Sequence, residues 1–188
     1  MNKDETKYWN NFYSNFTLLE PSSFCLFITT YIKNMNINNI LDAGCGNGRD
    51  SYYLAQKYNV TGMDISTKPN NMDNCKFVLD SFVTCDKSSY DLIYSRFTFH
   101  SITNEMHDDF LNSICKDTLL CIETRSDKNE NDTKFHGSTH YRNYTNIDYL
   151  KNLLNKYNFD IKYIEENKDF AIYKNENPYC IRVVCKKL

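Results

Sequence analysis

The chain is poor in the residues that break secondary structure: among 188 residues there are five glycines and three prolines, and tryptophan occurs once. Long apolar runs are missing too. No run approaches the ~20 residues a membrane-spanning helix needs, so no membrane partner is expected. The net charge of −2 leaves no broad basic face of the kind nucleic-acid binding requires, which argues against a nucleic-acid partner. The pair Lys186 and Lys187 reads as a solvated tail. Eight cysteines are present, yet no two stand in a C-x-x-C pair, which argues against a zinc ribbon or a redox dithiol. The first fifteen residues are polar and do not resemble a secretory leader. Reduced, buried thiols in a cytoplasmic protein are therefore expected. No internal repeat or linker interrupts the chain, and its length suits one domain.

What the chain does hold is concentrated. Three of its five glycines fall at 44, 46 and 48, inside ILDAGCGNGRDSYYLAQKY. The surrounding pattern alternates strands and helices. After an aromatic-rich helix at 4–16, Pro21-Ser22-Ser23 opens a second helix, FCLFITTYIKN. Strands are expected at 38–43, 59–65, 75–81, 90–97 and 118–124, with helices at 48–58 and 104–117, the latter capped by Thr103. A polar stretch at 125–143 precedes a helix at 145–158, where Thr145 and Asp148 have capping-box spacing. Two strands, 159–167 and 178–187, close the chain. Alternation of this kind means a parallel sheet with right-handed crossovers. Two links, 66–74 and 81–89, are too short for an ordinary crossover helix, so single turns or shifted strand ends are expected there.

A strand ending in a glycine-rich turn that opens a helix is a nucleotide cradle. The dinucleotide fingerprint G-x-G-x-x-G does not fit, because Arg49 stands where its third glycine belongs. Asp42, two residues before Gly44, would also repel a pyrophosphate. A P-loop is ruled out by the missing Gly-Lys-Ser/Thr. A ligand carrying a sulfonium and an ammonium reverses the electrostatic argument and welcomes carboxylates. Two more acids end strands: Asp64, 22 residues after Asp42, suits ribose hydroxyls, and Asp80 follows at the end of the third strand.

On these residues, LDAGCGNG resembles motif I of the class I S-adenosylmethionine-dependent methyltransferases, and the likeness continues in order to the last strand. The resemblance implies an α/β, Rossmann-like sheet of seven mostly parallel strands with a reversed last strand. It implies a single methyltransferase domain over 1–188, with helices or a lid at 1–35 and the core at 36–188. The implied cofactor is S-adenosylmethionine. Its binding would draw on Gly44, Gly46, Asn47, Gly48 and Asp50 from the loop, and on Asp64 and Ile65 after the second strand. Asp80, Ser81 and Phe82 would line the adenine, Ser95 would end the fourth strand, and Tyr8 and Trp9 would close from the lid. YSRFTFHSI occupies the place of motif IV but lacks the Asn/Asp-Pro-Pro-Tyr/Phe signature of amino-group methyltransferases. The lysine-aspartate-lysine-glutamate set of ribose 2′-O-methyltransferases and the paired metal-ligand acids of catechol-type enzymes are not found either, so no metal is expected.

The acceptor belongs beyond the carboxyl ends of the strands. Arg96 and His100 follow the fourth strand. Glu123, Arg125, Ser126 and Asp127 follow the fifth, and His136, His140, Tyr141 and Arg142 come from the polar stretch. Arginines suit phosphate or carboxylate, so an anionic acceptor is expected, held by Tyr13, Arg96, Glu123, Arg125, Tyr141 and Arg142. His140 and His100 are the candidate bases for a hydroxyl. The expected activity is methylation of an oxygen on a small polar, anionic metabolite, of the sugar or surface-glycan precursor type. A nucleic-acid methyltransferase and a non-catalytic cofactor-binding partner subunit are the two other readings, and the oligomeric state stays open.

Overall fold

The computed structural model describes residues 20–66, 68–129, 142–173 and 175–188, together with the backbone of 135–136 and 140–141. The expected helix at 4–16, with Tyr8, Trp9 and Tyr13, lies outside these residues. In chain order the elements are α1 (Ser23–Tyr31), β1 (Asn39–Ala43), α2 (Arg49–Leu54), β2 (Asn59–Asp64), β3 (Cys75–Leu79) and β4 (Leu92–Arg96). A 3₁₀ turn (Phe99–Ser101), α3 (Asn104–Asn112) and β5 (Leu119–Arg125) follow. The chain ends with β6 (Phe135–His136), β7 (His140–Tyr141), α4 (Ile147–Lys156), β8 (Phe159–Asn167) and β9 (Cys180–Lys187).

Seven strands form one sheet in the order β3-β2-β1-β4-β5-β9-β8, and β6 pairs with β7 apart from it. β1 to β5 run parallel, and β9 is antiparallel to both of its neighbours, which gives the reversed last strand. Period-two side-chain alternation divides the core. Ile40, Leu92, Tyr94, Cys121 and Val184 face α1 and α2, among Phe24, Ile28 and Leu54. Leu41, Ile93, Leu120, Ile122 and Val183 face α3 and α4, among Phe110, Leu150 and Leu154. β1 lies between β2 and β4, so the chain leaves it in opposite directions and opens a crevice at the carboxyl ends of β1 and β4.

Caps explain most boundaries. Ser22 caps α1 by accepting from the Cys25 amide at 3.0 Å, and Thr103 caps α3 by accepting from Met106. The capping box expected at Thr145 does not form. The Thr145 amide donates to the Arg125 carbonyl as a continuation of the β5 edge, so Asn146 becomes the cap and accepts from Tyr149 at 2.8 Å. β5 likewise runs one residue further than expected, because Arg125 pairs with Cys180 of β9. Among the described residues the two short links contain no crossover helix: 66–74 ends in a bridge between Met72 and Cys75, and 81–89 makes two turns, Cys85 amide to Ser81 carbonyl and Tyr90 amide to Lys87 carbonyl. The helix expected over 48–58 stops at Leu54. All eight cysteines are free, and six of them are buried. Among the described residues no helix is long and apolar enough to cross a membrane.

Candidate active site

The glycine loop follows β1 directly. Gly44, Gly46 and Gly48 all have positive φ (75°, 54° and 79°), a region L side chains rarely occupy. Gly44 has a second constraint, since a Cβ there would stand 2.2 Å from the Thr98 methyl. The amides of Gly44 and Cys45 both donate to the Met63 carbonyl, at 2.7 and 3.1 Å, and dock the loop on β2. The Gly46 amide donates to Asp64 Oδ2 at 3.0 Å, while Asp64 Oδ1 accepts from the Ser66 amide and hydroxyl. Asp64 therefore orders the loop while facing the cavity beneath it.

That cavity measures about 580 Å³ and spans the crevice. On its loop side it is bordered by Asp42, Gly44, Cys45, Asn47, Asp50, Asp64, Ile65 and Phe82. Three carboxylates share this wall. Asp42 is pushed up to about 7, chiefly by burial, with the Asp50 and Asp64 charges adding and the Ser51 hydroxyl at 2.5 Å opposing. Such a wall repels phosphates and favours a cation. Asp50 is tied into the fold: its carboxylate accepts from the Ser22 amide, the Ser22 hydroxyl and the Tyr94 hydroxyl, each at 2.7 Å. Of the other residues expected here, Gly46 and Gly48 are buried behind the loop and Ser81 lies beside the cavity rather than on it. Asp80 is exposed outside the cavity lining, with its amide on the Asp64 carbonyl at 3.1 Å. Ser95 is fully buried, its hydroxyl shared with that of Thr98.

The opposite wall carries the cations. Arg96, Phe97, His100, Arg125 and Arg142 all border the cavity. Arg96 lies 4.2 Å from the Phe97 ring centroid and donates to Glu123 at 2.9 Å. Glu123 also accepts from Arg182 at 2.7 Å, and it is fully buried and outside the cavity lining. The expectation that Glu123 meets the acceptor is thus corrected. Register explains why: Arg96 stands opposite Glu123, and Glu123 opposite Arg182, so one carboxylate is shared by two guanidiniums across three strands. Phe97 is itself at positive φ (60°), which places its ring among Arg96, His100 and Arg125. His100 Nδ1 accepts from the Arg125 amide at 3.4 Å. Arg142, 8% exposed, has the Tyr144 hydroxyl at 3.3 Å as its hydrogen-bond partner. His140 pairs with His136 in the β6–β7 hairpin, but the side chains of His136, His140 and Tyr141 lie outside the described residues.

A third wall lies outside the residues expected from the sequence. The loop between β8 and β9 brings Asp169, Phe170, Ala171, Ile172, Tyr173 and Glu176 to the cavity. Its neck is closed by Asp169 and Asn177, which exchange bonds of 2.8 and 2.6 Å, and its tip by reciprocal Tyr173–Glu176 backbone bonds. Arg182 holds Phe170 and Ser23 from below, donating to the Phe170 carbonyl at 2.9 Å and the Ser23 hydroxyl at 2.8 Å. The sequence signal was FAIY, an apolar run inside a connection of twelve residues where an antiparallel pair needs far fewer. Among the described residues no cluster of three or more His, Cys, Asp or Glu is placed to hold a metal ion.

A seven-stranded sheet with one reversed strand, and a glycine loop over an acid-walled crevice at its switch point, defines a class I methyltransferase. Residues 16–164 match the profile of a family described as a methyltransferase domain. The chain belongs to that family and is a class I S-adenosylmethionine-dependent methyltransferase. Comparison with curated proteins found no match. Among solved structures, a methyltransferase of Methanosarcina mazei is similar at a TM-score of 0.69 and 16% identity, over 86% of this chain and 97% of that one. The 1,6-didemethyltoxoflavin N1-methyltransferase of Burkholderia thailandensis, solved with S-adenosylhomocysteine, aligns at a TM-score of 0.65 and 17% identity. It covers 88% of this chain and 77% of its own. The glycopeptide N-methyltransferase MtfA, solved with S-adenosylmethionine, aligns at 0.65 and 10% identity, over 89% and 95%.

Proposed function

We propose that this methyltransferase acts on an oxygen of a small, polar, anionic metabolite of the sugar or surface-glycan precursor type. One observation carries the anionic part: the buried Arg142 guanidinium borders the cavity and, among the described residues, meets no carboxylate. A desolvated guanidinium in that position is stabilised by a bound carboxylate or phosphate.

The residues fit S-adenosylmethionine. A glycine at 44 that no larger side chain could replace, and an acid wall that disfavours pyrophosphate, match a cationic nucleoside. Gly44, Cys45, Asn47, Asp64, Ile65 and Phe82 would hold it, with Tyr8 and Trp9 closing from the lid. When bound, it supplies a methyl group on a sulfonium, open to in-line displacement. The protein's part is alignment and proton removal. His100, accepting the Arg125 amide at Nδ1, carries its proton on Nε2 when neutral and serves as a hydrogen-bond donor to the acceptor. The general base assigned here is His140. Tyr13 and Tyr141 would complete the acceptor contacts.

The test is a screen for S-adenosylhomocysteine release across anionic hydroxylated metabolites, nucleotide-sugars, amines and RNA. Turnover on an anionic hydroxyl compound, with kcat reduced roughly 10²–10⁴-fold in His140→Ala, is expected. Transfer confined to nitrogen acceptors, as the names of two structural neighbours describe for those enzymes, would overturn the oxygen assignment. Cofactor binding without turnover on any class would favour the partner-subunit reading.

A further inference from the structure

Three arginines border the acceptor side, and each has a different charge environment. Arg96 shares the buried Glu123 with Arg182. Arg125, 10% exposed, is paired at 2.8 Å with Glu176, whose side chain is 59% exposed at the tip of the β8–β9 loop. Arg142 meets a hydroxyl instead of a carboxylate. Glu176 thus stands inside the acceptor's half of the cavity as a fixed negative charge already seated on one of its cations.

Resting on the anionic-acceptor reading above, we propose that Glu176 is a specificity-determining residue that restricts the site to acceptors bearing a single negative charge. Arg142 receives that charge. A carboxylate, a sulfonate or a phosphodiester fits this arrangement, whereas a phosphomonoester does not. Its second charge would meet Glu176 at short range, and displacing Glu176 from Arg125 would cost the existing charge-assisted bond. Rejection by an opposing like charge is a recognised source of selectivity. The same loop sets the shape of the acceptor, since Phe170 and Tyr173 face the cavity with Phe97 and offer aromatic walls to a planar or ring-shaped body.

The isosteric probes benzenesulfonate and phenylphosphonate separate charge from shape, because both are tetrahedral anions on a phenyl ring. Titrations would use protein loaded with S-adenosylhomocysteine, at a pH where the phosphonate is doubly ionised. Wild type is expected to prefer the sulfonate, and Glu176→Gln to shift the sulfonate-to-phosphonate ratio toward the phosphonate by about tenfold. Arg142→Gln should weaken both. Glu176 is exposed, so its variant should fold and keep its S-adenosylhomocysteine affinity, and the wild-type and Glu176→Gln pair decides the question alone. A ratio unchanged by Glu176→Gln, or a wild type that prefers the phosphonate, overturns the assignment to Glu176 and leaves the anionic-acceptor reading standing. A wild type that takes neither probe overturns that reading, and this proposal with it.

Discussion

The two halves of the cavity are built in opposite ways. The half proposed for the cofactor comes from one stretch of chain, residues 42–65, with Phe82 added from beyond β3. The half proposed for the acceptor is assembled from the start of α1, the ends of β4 and β5, Arg142 and the β8–β9 loop. Their electrostatics differ in parallel. Asp42, Asp50 and Asp64 crowd together on the first wall, whereas on the second Glu123 and Glu176 are each seated against arginine. A contiguous site is constrained by backbone geometry, and an assembled one by the pairing of charges across strands.

The sharpest break in that comparison is predicted at Glu123, which holds the arginine wall from outside the cavity lining. Glu123→Ala leaves two buried guanidiniums facing each other, and an uncompensated buried charge costs roughly 3–5 kcal/mol. Urea denaturation should show a loss of that order. A loss below about 1 kcal/mol, the range of an exposed pair, would mean that the three-residue ladder does not hold this wall together.

The cofactor half should fail through shape instead. Gly44→Ala sets a methyl 2.2 Å from the Thr98 methyl and imposes positive φ on an L residue. Overpacking and strain together come to about 2–4 kcal/mol, read as lost S-adenosylhomocysteine affinity and a lower Tm. Adding Thr98→Ser removes the clashing methyl and keeps the hydroxyl shared with Ser95, so the double variant should recover part of the loss. No recovery would place the defect in the backbone alone.

This contrast also explains what the sequence made legible. Gly44, Asp42 and Asp64 could be read as lining one site because a tight turn and the acids around it are encoded within one βαβ unit. Glu123 was misassigned because its partner Arg182 is 59 residues away and is found only through register. A single arginine inside the apolar strand CIRVVC was the available hint, since a charge in a buried strand needs a partner. The Thr145 cap failed for a related reason: a non-local strand contact claimed the residue that local spacing had assigned to the helix. The wall formed by Phe170 and Tyr173 depends on where the β8–β9 hairpin comes to rest, and short-range pattern does not encode that.

A smaller effect is expected at Asp64, where the two descriptions of the cofactor half meet. Asp64→Ala removes the acceptor for the Gly46 amide and the group proposed to bind the ribose, so affinity should fall by about 1.5–3 kcal/mol. Asp64→Asn keeps one carbonyl oxygen and should lose less. Calorimetry showing full affinity in a folded Asp64→Ala variant would remove this residue from the cofactor site.

The mildest prediction concerns pH and tests the acid wall directly. Asp42, ordinarily ionised above pH 4, is held protonated up to about 7 by burial and by Asp50 and Asp64. Between about pH 4 and 7 the native chain therefore keeps a proton that the unfolded chain has released. Stability of the ligand-free protein contributed by this group should fall as pH rises through that window and level off above 7. A cation bound against the wall favours the ionised form, so S-adenosylmethionine affinity should move the other way, rising by at most tenfold per pH unit up to about 7 and flattening beyond. S-adenosylhomocysteine, with one positive charge fewer, should show a shallower rise. Asp42→Asn should flatten both profiles, and calorimetry in buffers of different ionisation enthalpy should register the released proton in wild type only. An affinity indifferent to pH, or a slope that survives Asp42→Asn, would mean that the cation does not face Asp42 and that the crowding of carboxylates serves the loop's own architecture.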